Sequence, residues 1–187
     1  MDLPWGSEES AKFITNVGLI TSNGPNGQNI MSAEWTHHVS YSPGLIAVCV
    51  GQGKATNENI KATKEFGVSI AAVDQNVLAS IAGGSSGKNV DKIAVLKALG
   101  FKFYKAKKIN ILMVEGAVLN AECKLVHMAE LGDHTMFVGE VLDAKISAKE
   151  PIIYHGNKYF KVGDSVEKPQ PEELESIKKA VEKFRKT

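Results

Sequence analysis

Two stretches of the chain carry side chains whose types and spacing suit chemistry. In Lys54-Ala55-Thr56-Asn57-Glu58-Asn59-Ile60 a lysine stands just before a segment that reads as a short helix capped by Thr56. The first N–H groups of a helix have no partner within it, and the positive end of its dipole lies there, so the pattern suits an anion such as a phosphate. A solvated Lys54 beside an ordinary cap fits the same residues. Asn29-Ile30-Met31-Ser32-Ala33-Glu34-Trp35 mixes small polar residues with Met and Trp, and His37, His38, Val39 and Ser40 follow on a segment ending at Pro43. Such a strand and loop can meet a heteroaromatic ring with apolar surface and bond its edge through backbone and hydroxyl groups. The alternative is a core tryptophan beside a turn.

The elements that must position these residues are mostly strands. Val17-Gly18-Leu19-Ile20-Thr21 is apolar and β-rich, and Asn23-Gly24-Pro25-Asn26-Gly27 supplies turn residues, so a hairpin is expected with a returning arm over Asn29 to His38. Leu45 to Val50 is continuously apolar and bounded by glycines, as in a strand buried on both faces at the centre of the core. Phe66 to Ala71 reads as another strand, Asp74 as the cap of a second short helix, and Gly83-Gly84-Ser85-Ser86-Gly87 as a loop. From Ile111 to Ile146 two long arms flank Gly132-Asp133-His134. Leu119, Ala121, Cys123 and Leu125 alternate there with Asn120, Glu122 and Lys124, which predicts a long antiparallel hairpin. A shorter β unit, Ile152 to Val162, turns at Gly156-Asn157. Leu174, Ile177, Val181 and Phe184 recur at helical spacing, with Glu172 and Glu173 before them and Lys183, Arg185 and Lys186 near the end, which predicts a helix over about 171–185. The expected architecture is mainly β with a few helices, one domain over residues 1–187 closed as a Greek-key barrel.

Composition narrows the function classes. The 22 Lys and Arg against 21 Asp and Glu give a net charge of +1, which supplies no general attraction to nucleic acid or anionic lipid. The N-terminus lacks a basic start followed by an apolar run, and no stretch approaches the roughly 18 apolar residues of a membrane helix, so a cytoplasmic protein is expected. Cys49 and Cys123 sit apart in apolar runs with no histidine at metal spacing, which suits buried thiols rather than zinc ligands.

The order strand, Gly- and Asn-containing turn, then Asn29, Met31, Ser32, Trp35, Val39, Ser40 and Pro43 resembles the flavin reductase-like family. Three later segments are similar to that family as well, especially to its flavoredoxin branch: Lys54 to Ile60, Ser86-Gly87-Lys88-Asn89-Val90-Asp91-Lys92, and Gly132-Asp133-His134 to Val141. Together the similarity spans about residues 14 to 163. It implies an FMN-binding split β-barrel whose dimer interface contributes to the flavin pocket. It also implies ring contacts from Asn29, Met31, Ser32, Ala33, Glu34 and Trp35 with Val39 and Ser40 beside them, phosphate contacts from Lys54 and Thr56, and a second phosphate loop at Ser86, Gly87 and Lys88. Two departures stand out: the position often held by Cys before that loop is Ala82 or Gly83, and Lys88 replaces an Arg, exchanging a bidentate fork for a point charge.

By the same resemblance His134 is the residue nearest a nicotinamide or other acceptor, or else a plain turn histidine. His127 is expected to pack along its strand, and His37 or His38 to line the pocket. The implied activity is an NAD(P)H-dependent flavin or ferric reductase. An FMN electron carrier supplied by a redox protein is the alternative, and a non-flavin binding module is a third reading. A homodimer is expected, with the C-terminal helix packed across the partner or, alternatively, over its own barrel.

Overall fold

The computed structural model describes residues 2–186. Twelve strands and four helices follow in chain order. The strands are β1 Thr15–Asn16, β2 Gly18–Ser22, β3 Asn29–Ala33, β4 Thr36–Tyr41, β5 Gly44–Gly51, β6 Glu65–Ile70, β7 Phe103–Lys105, β8 Leu112–Val114, β9 Leu119–Leu131, β10 His134–Ile146, β11 Ile152–His155 and β12 Lys158–Lys161. The helices are α1 Ala55–Thr63, α2 Asn76–Gly84, α3 Lys92–Ala98 and α4 Pro171–Lys183.

Seven strands form one antiparallel sheet in the order β3-β2-β6-β9-β10-β5-β4. Its two edge strands are neighbours in sequence, joined only by Glu34 and Trp35. A flat sheet would hold these edges about 29 Å apart, six spacings of roughly 4.8 Å. The chain from Ala33 to Thr36 reaches about 11 Å at most. The sheet therefore curls until β3 comes up against β5, although no ladder joins β3 to β4 among the described residues.

Curling separates two apolar layers. Period-two alternation sends Ile20, Val48, Val50, Phe66, Val68, Ala121, Cys123 and Phe137 to the inside, where Ile60 of α1 joins them. Leu19 and Ile30 face the other way, against Leu78, Ala79 and Ala82 of α2 and Ile93 and Leu96 of α3. The inner layer is tight at Gly139, where a Cβ would lie 2.5 Å from the Phe66 ring and 2.7 Å from the Cys123 side chain.

Several expectations hold and several are corrected. The long hairpin exists, with the two-residue turn Gly132-Asp133, but it begins at Leu119; the residues before it form the separate β7–β8 pair. Asn120 and Glu122 are buried, and the Glu122 carboxylate accepts the Lys107 and Lys108 N–H groups at 2.8 and 2.6 Å. Asn29 to His38 is two strands on opposite edges, because the strand breaks at Glu34-Trp35 and the chain passes there from one edge of the sheet to the other. Leu45 to Val50 lies one strand in from an edge, not at the centre. Lys54, not Thr56, is the N-cap of α1, and Gln75, not Asp74, that of α2; Asp74 instead pairs with Lys149 at 2.6 Å. Gly83 and Gly84 end α2, and α3 follows, started by Asp91 accepting the Ala94 N–H at 2.9 Å. His127 is exposed on the hairpin and packs against no core. The β11–β12 turn is Gly156-Asn157, both residues at positive φ as the hairpin twist requires. Helix α4, closed by a Gln170/Glu173 capping box, buries none of its residues, so Leu174, Ile177, Val181 and Phe184 do not cover the body of their own chain.

Gly139→Ala is expected to destabilise the protein by about 1–3 kcal/mol through overpacking against Phe66 and Cys123, read as a lower urea midpoint with an unchanged slope.

Candidate flavin site

The end of β5 turns through Gln52 and Gly53 into α1, and Lys54 takes an extended N-cap conformation without a side-chain cap bond. The backbone N–H groups of Ala55, Thr56 and Asn57 find no acceptor among the described residues. Side chains of α1 hold this end in place. Asn57 donates to Val50 O at 3.1 Å, and Asn59 donates to Gly27 O at 2.9 Å and to Ser22 Oγ at 3.1 Å. The buried Thr56 hydroxyl accepts from Asn29 Nδ2 at 2.8 Å, which fixes the start of β3 against the first turn of α1.

The loop after α2 closes over the same corner. Gly87 lies against the Asn29 amide so closely that a Cβ there would collide with it. Lys88 leans away to form an ion pair with Glu58 at 2.6 Å, and that contact, with a second from Asn26, holds the Glu58 carboxyl below its usual range. The charge on Lys88 is thereby already balanced. Lys92 differs. It is 3 % exposed, its Nζ donates to Ala82 O at 2.8 Å, and burial first and the charge of Lys54 second push its pKa down to about 8. Sequence reasoning passed Lys92 over as one more residue of the Ser86–Lys92 segment, since nothing in composition marks a lysine as buried.

Trp35 fills the seam between β3 and β4 and is 55 % exposed. One face meets His134, with ring centroids 4.6 Å apart and the planes tilted by 48°. His134 opens β10 and bonds Asp133 through Nδ1 at 2.7 Å, a contact that lowers the Asp133 pKa. Two bonds tie this hairpin tip to the β5–α1 turn: Gln52 N–H to Asp133 O at 3.1 Å and Gln52 Nε2 to Gly132 O at 3.3 Å. A Cβ on Gly51 would stand 3.6 Å from the Lys54 stem and 3.8 Å from His134 Nε2, so Lys54, Gly51, His134 and Trp35 form one continuous wall.

Beside Trp35 a cleft of about 510 Å³ opens, bordered by Glu34, His37, Cys49 and Asn16. It is large enough for a planar ring ligand. Cys49 thus borders the cleft instead of lying in the core, and burial pushes its thiol up, which keeps it neutral. Cys123 is a core residue, its pKa pushed up to about 12 by burial and then by Glu122. Of the remaining expected contacts, Glu34 accepts from Trp5 Nε1 at 3.2 Å. Ala33 is buried, and Met31 packs toward the inner layer. The Ser32 hydroxyl is donated to Ala79 O at 2.6 Å, leaving only its acceptor capacity for a ligand. Val39 and Ser40 stand farther along β4, where Ser40 pairs with Leu45 about 20 Å from the Gly51 end of β5. Ser86 is exposed and bonds the Lys88 N–H at 3.2 Å.

An anion-ready helix start next to an exposed tryptophan in a curled sheet is the geometry on which likeness to known proteins can be judged. Residues 10–163 match the model of the flavin reductase like domain. The chain belongs to that family. An NADH-dependent FAD reductase of Streptomyces globisporus is 28% identical over 149 residues, 79% of either chain. Among solved structures, the flavin reductase PheA2 superposes with a TM-score of 0.73 at 29% identity, covering 88% of this chain and 100% of its own. The flavoredoxin of Desulfovibrio vulgaris (Miyazaki F) does so with 0.74 at 26% identity, covering 90% and 97%. No helix of the described residues is long and apolar enough to cross a membrane.

Thr56→Val removes the acceptor of a buried amide donor. It is expected to cost about 1–3 kcal/mol in the ligand-free protein, read as a lower urea midpoint.

Proposed function

We propose that the protein binds FMN and reduces it with NADH or NADPH, working in the cytoplasm as a flavin or ferric reductase on the family's split-barrel plan. The observation that carries this reading is the juxtaposition of uncompensated positive groups at the start of α1 with the open face of Trp35. In the proposed mode the Lys54 ammonium and the N–H groups of Ala55, Thr56 and Asn57 hold the phosphate, with Ser86 and Gly87 closing over it. Asn29, Met31, Ser32, Ala33, Glu34 and Trp35 border the ring, Val39 and Ser40 its far surroundings. When bound, the flavin supplies the two-electron chemistry, and the protein contributes binding, orientation and exclusion of competing reactions.

No side chain of this site needs to act as general acid or base. His134 holds the ring of Trp35 on one side and is itself steered by Asp133. Its proposed role is to orient the nicotinamide. The alternative, an FMN carrier that receives its electrons from a protein, draws support from the likeness to a flavoredoxin. Anaerobic mixing of the FMN-loaded protein with NADH or NADPH separates the two: rapid bleaching is expected, and persistent oxidised flavin with both nucleotides would favour the carrier. His134→Ala is expected to retain FMN and to slow that bleaching, and an unchanged rate would remove His134 from the site.

Lys54→Ala is expected to weaken FMN by roughly ten- to a hundredfold, the loss of one charge-assisted hydrogen bond, with little change for riboflavin in calorimetry. A homodimer is proposed as the working unit, because the apolar stripe of α4 finds no cover on its own chain. Light scattering at micromolar concentration should give twice the chain mass, and truncation before Pro171 should weaken the association.

A further inference from the structure

The cleft beside Trp35 has a chemistry opposite to that of the α1 corner. The charged group on its border is the Glu34 carboxylate, and no lysine or arginine lines it among the described residues. Glu34 makes no ion pair with any of those residues either. Its one side-chain partner among them is a neutral donor, the Trp5 indole N–H at 3.2 Å from Oε1. That bond holds the carboxylate without neutralising it. The other polar groups of the cleft are acceptors as well. Asn16 donates through Nδ2 to Thr36 O at 2.6 Å, while its Oδ1 and the Thr15 hydroxyl stay unpartnered. His37 donates through Nδ1 to His38 O at 2.9 Å, so in the neutral ring Nε2 is a bare acceptor. Cys49 is neutral, its thiol raised by burial. Tyr154 of β11 senses the negative charge: burial first and Glu34 second hold its phenol above the usual range. Trp35 adds an indole with one face on His134 and more than half of its surface exposed. The face of an indole attracts cations, so the ring and the carboxylate favour the same kind of ligand.

We propose that this cleft binds a planar aromatic cation, with Glu34 as its counter-charge and Trp35 as its stacking surface. In the reading above, on which the source of the cation rests, it is the oxidised nicotinamide ring, a pyridinium. The reduced ring is neutral. Stacking on Trp35 alone cannot separate two forms of nearly the same shape, whereas a carboxylate acts on charge. Glu34 is thereby a specificity-determining residue, and the spent nucleotide is held more tightly at its ring than the fresh one.

Fluorine NMR of the full chain labelled with 5-fluorotryptophan tests this at about pH 8, above the range in which histidines ordinarily titrate. The two tryptophans give two signals, and both report on the cleft, Trp35 from its border and Trp5 through Glu34. The probes are 1-methylnicotinamide, permanently cationic, and nicotinamide, its neutral counterpart. Wild type is expected to bind the cation roughly tenfold more tightly at low salt, as for one partly exposed ion pair with a cation–π contact, and to lose most of that preference at about 1 M salt. Glu34→Gln keeps an acceptor for Trp5 and removes the charge. It should bind both probes to within about twofold, with the affinity for nicotinamide unchanged as the check that the cleft has formed. Trp35→Leu should weaken both. Equal affinity of wild type for the two probes, failure of both to shift the signals, or a preference retained in Glu34→Gln overturns the cation site and leaves the flavin reductase reading in place. If the preference appears and Glu34→Gln removes it, but FMN-loaded protein is bleached by neither nucleotide, the cation site stands and its assignment to nicotinamide falls with that reading.

Discussion

The two-residue link between β3 and β4 is the constraint on which the rest of the structure depends. Because Glu34 and Trp35 alone join opposite edges of a seven-stranded sheet, the sheet must curl, and the curl creates an inside. The inside has to be filled by side chains of one parity on every strand, and where neighbouring side chains already take up the space, as the Phe66 ring and Cys123 do at Gly139, the position has none. The same link cannot be a regular strand itself. It leaves an indole at the seam with one face against His134 and the rest open to solvent. A packing requirement of the curled sheet thus leaves an exposed aromatic surface at the seam.

The neighbouring start of α1 is governed by electrostatics. Helix α1 begins where three asparagines and Thr56 have already used their side chains to lock it to β2, β3 and β5, so its first N–H groups are held rigidly and left without partners. Donors fixed in advance lose little entropy when an anion arrives. Neutralisation of Lys88 by Glu58 narrows the positive potential to Lys54 and Lys92, one exposed and one buried.

Much of this was legible in the residues. Alternation at Leu119 to Leu125 located the long hairpin, Gly156-Asn157 its smaller counterpart, and Lys54-Ala55-Thr56 the start of α1, since these signals are local and turn chemistry is specific. Failures came where tertiary contacts decide. The break at Glu34-Trp35 contains neither Gly nor Pro, so nothing local separates β3 from β4. Thr56 has the chemistry of a cap, but Asn29, brought in from far along the chain, claims its hydroxyl. Ser32 loses its donor to α2 in the same way. Lys92 was invisible as a buried charge because period-based reading assigns lysines to solvent, and only the packing of α3 on β3 and α2 places it inside.

The tie between Gln52 and Gly132 closes a loop of 80 residues, and Asn29 reaches across 27 to Thr56. Neither corner of the site belongs to a segment that could form early by itself, since contacts of such separation come at a large entropic cost and are completed only once the sheet has assembled. The site is therefore a property of the finished chain. Any ligand held there is bound by the native state and by no partly folded form, so its binding energy adds to the global unfolding free energy in proportion to the logarithm of its concentration. For the flavin proposed above, cellular supply would then be a determinant of how long each molecule survives, with scarce cofactor leaving more of the population open to proteolysis.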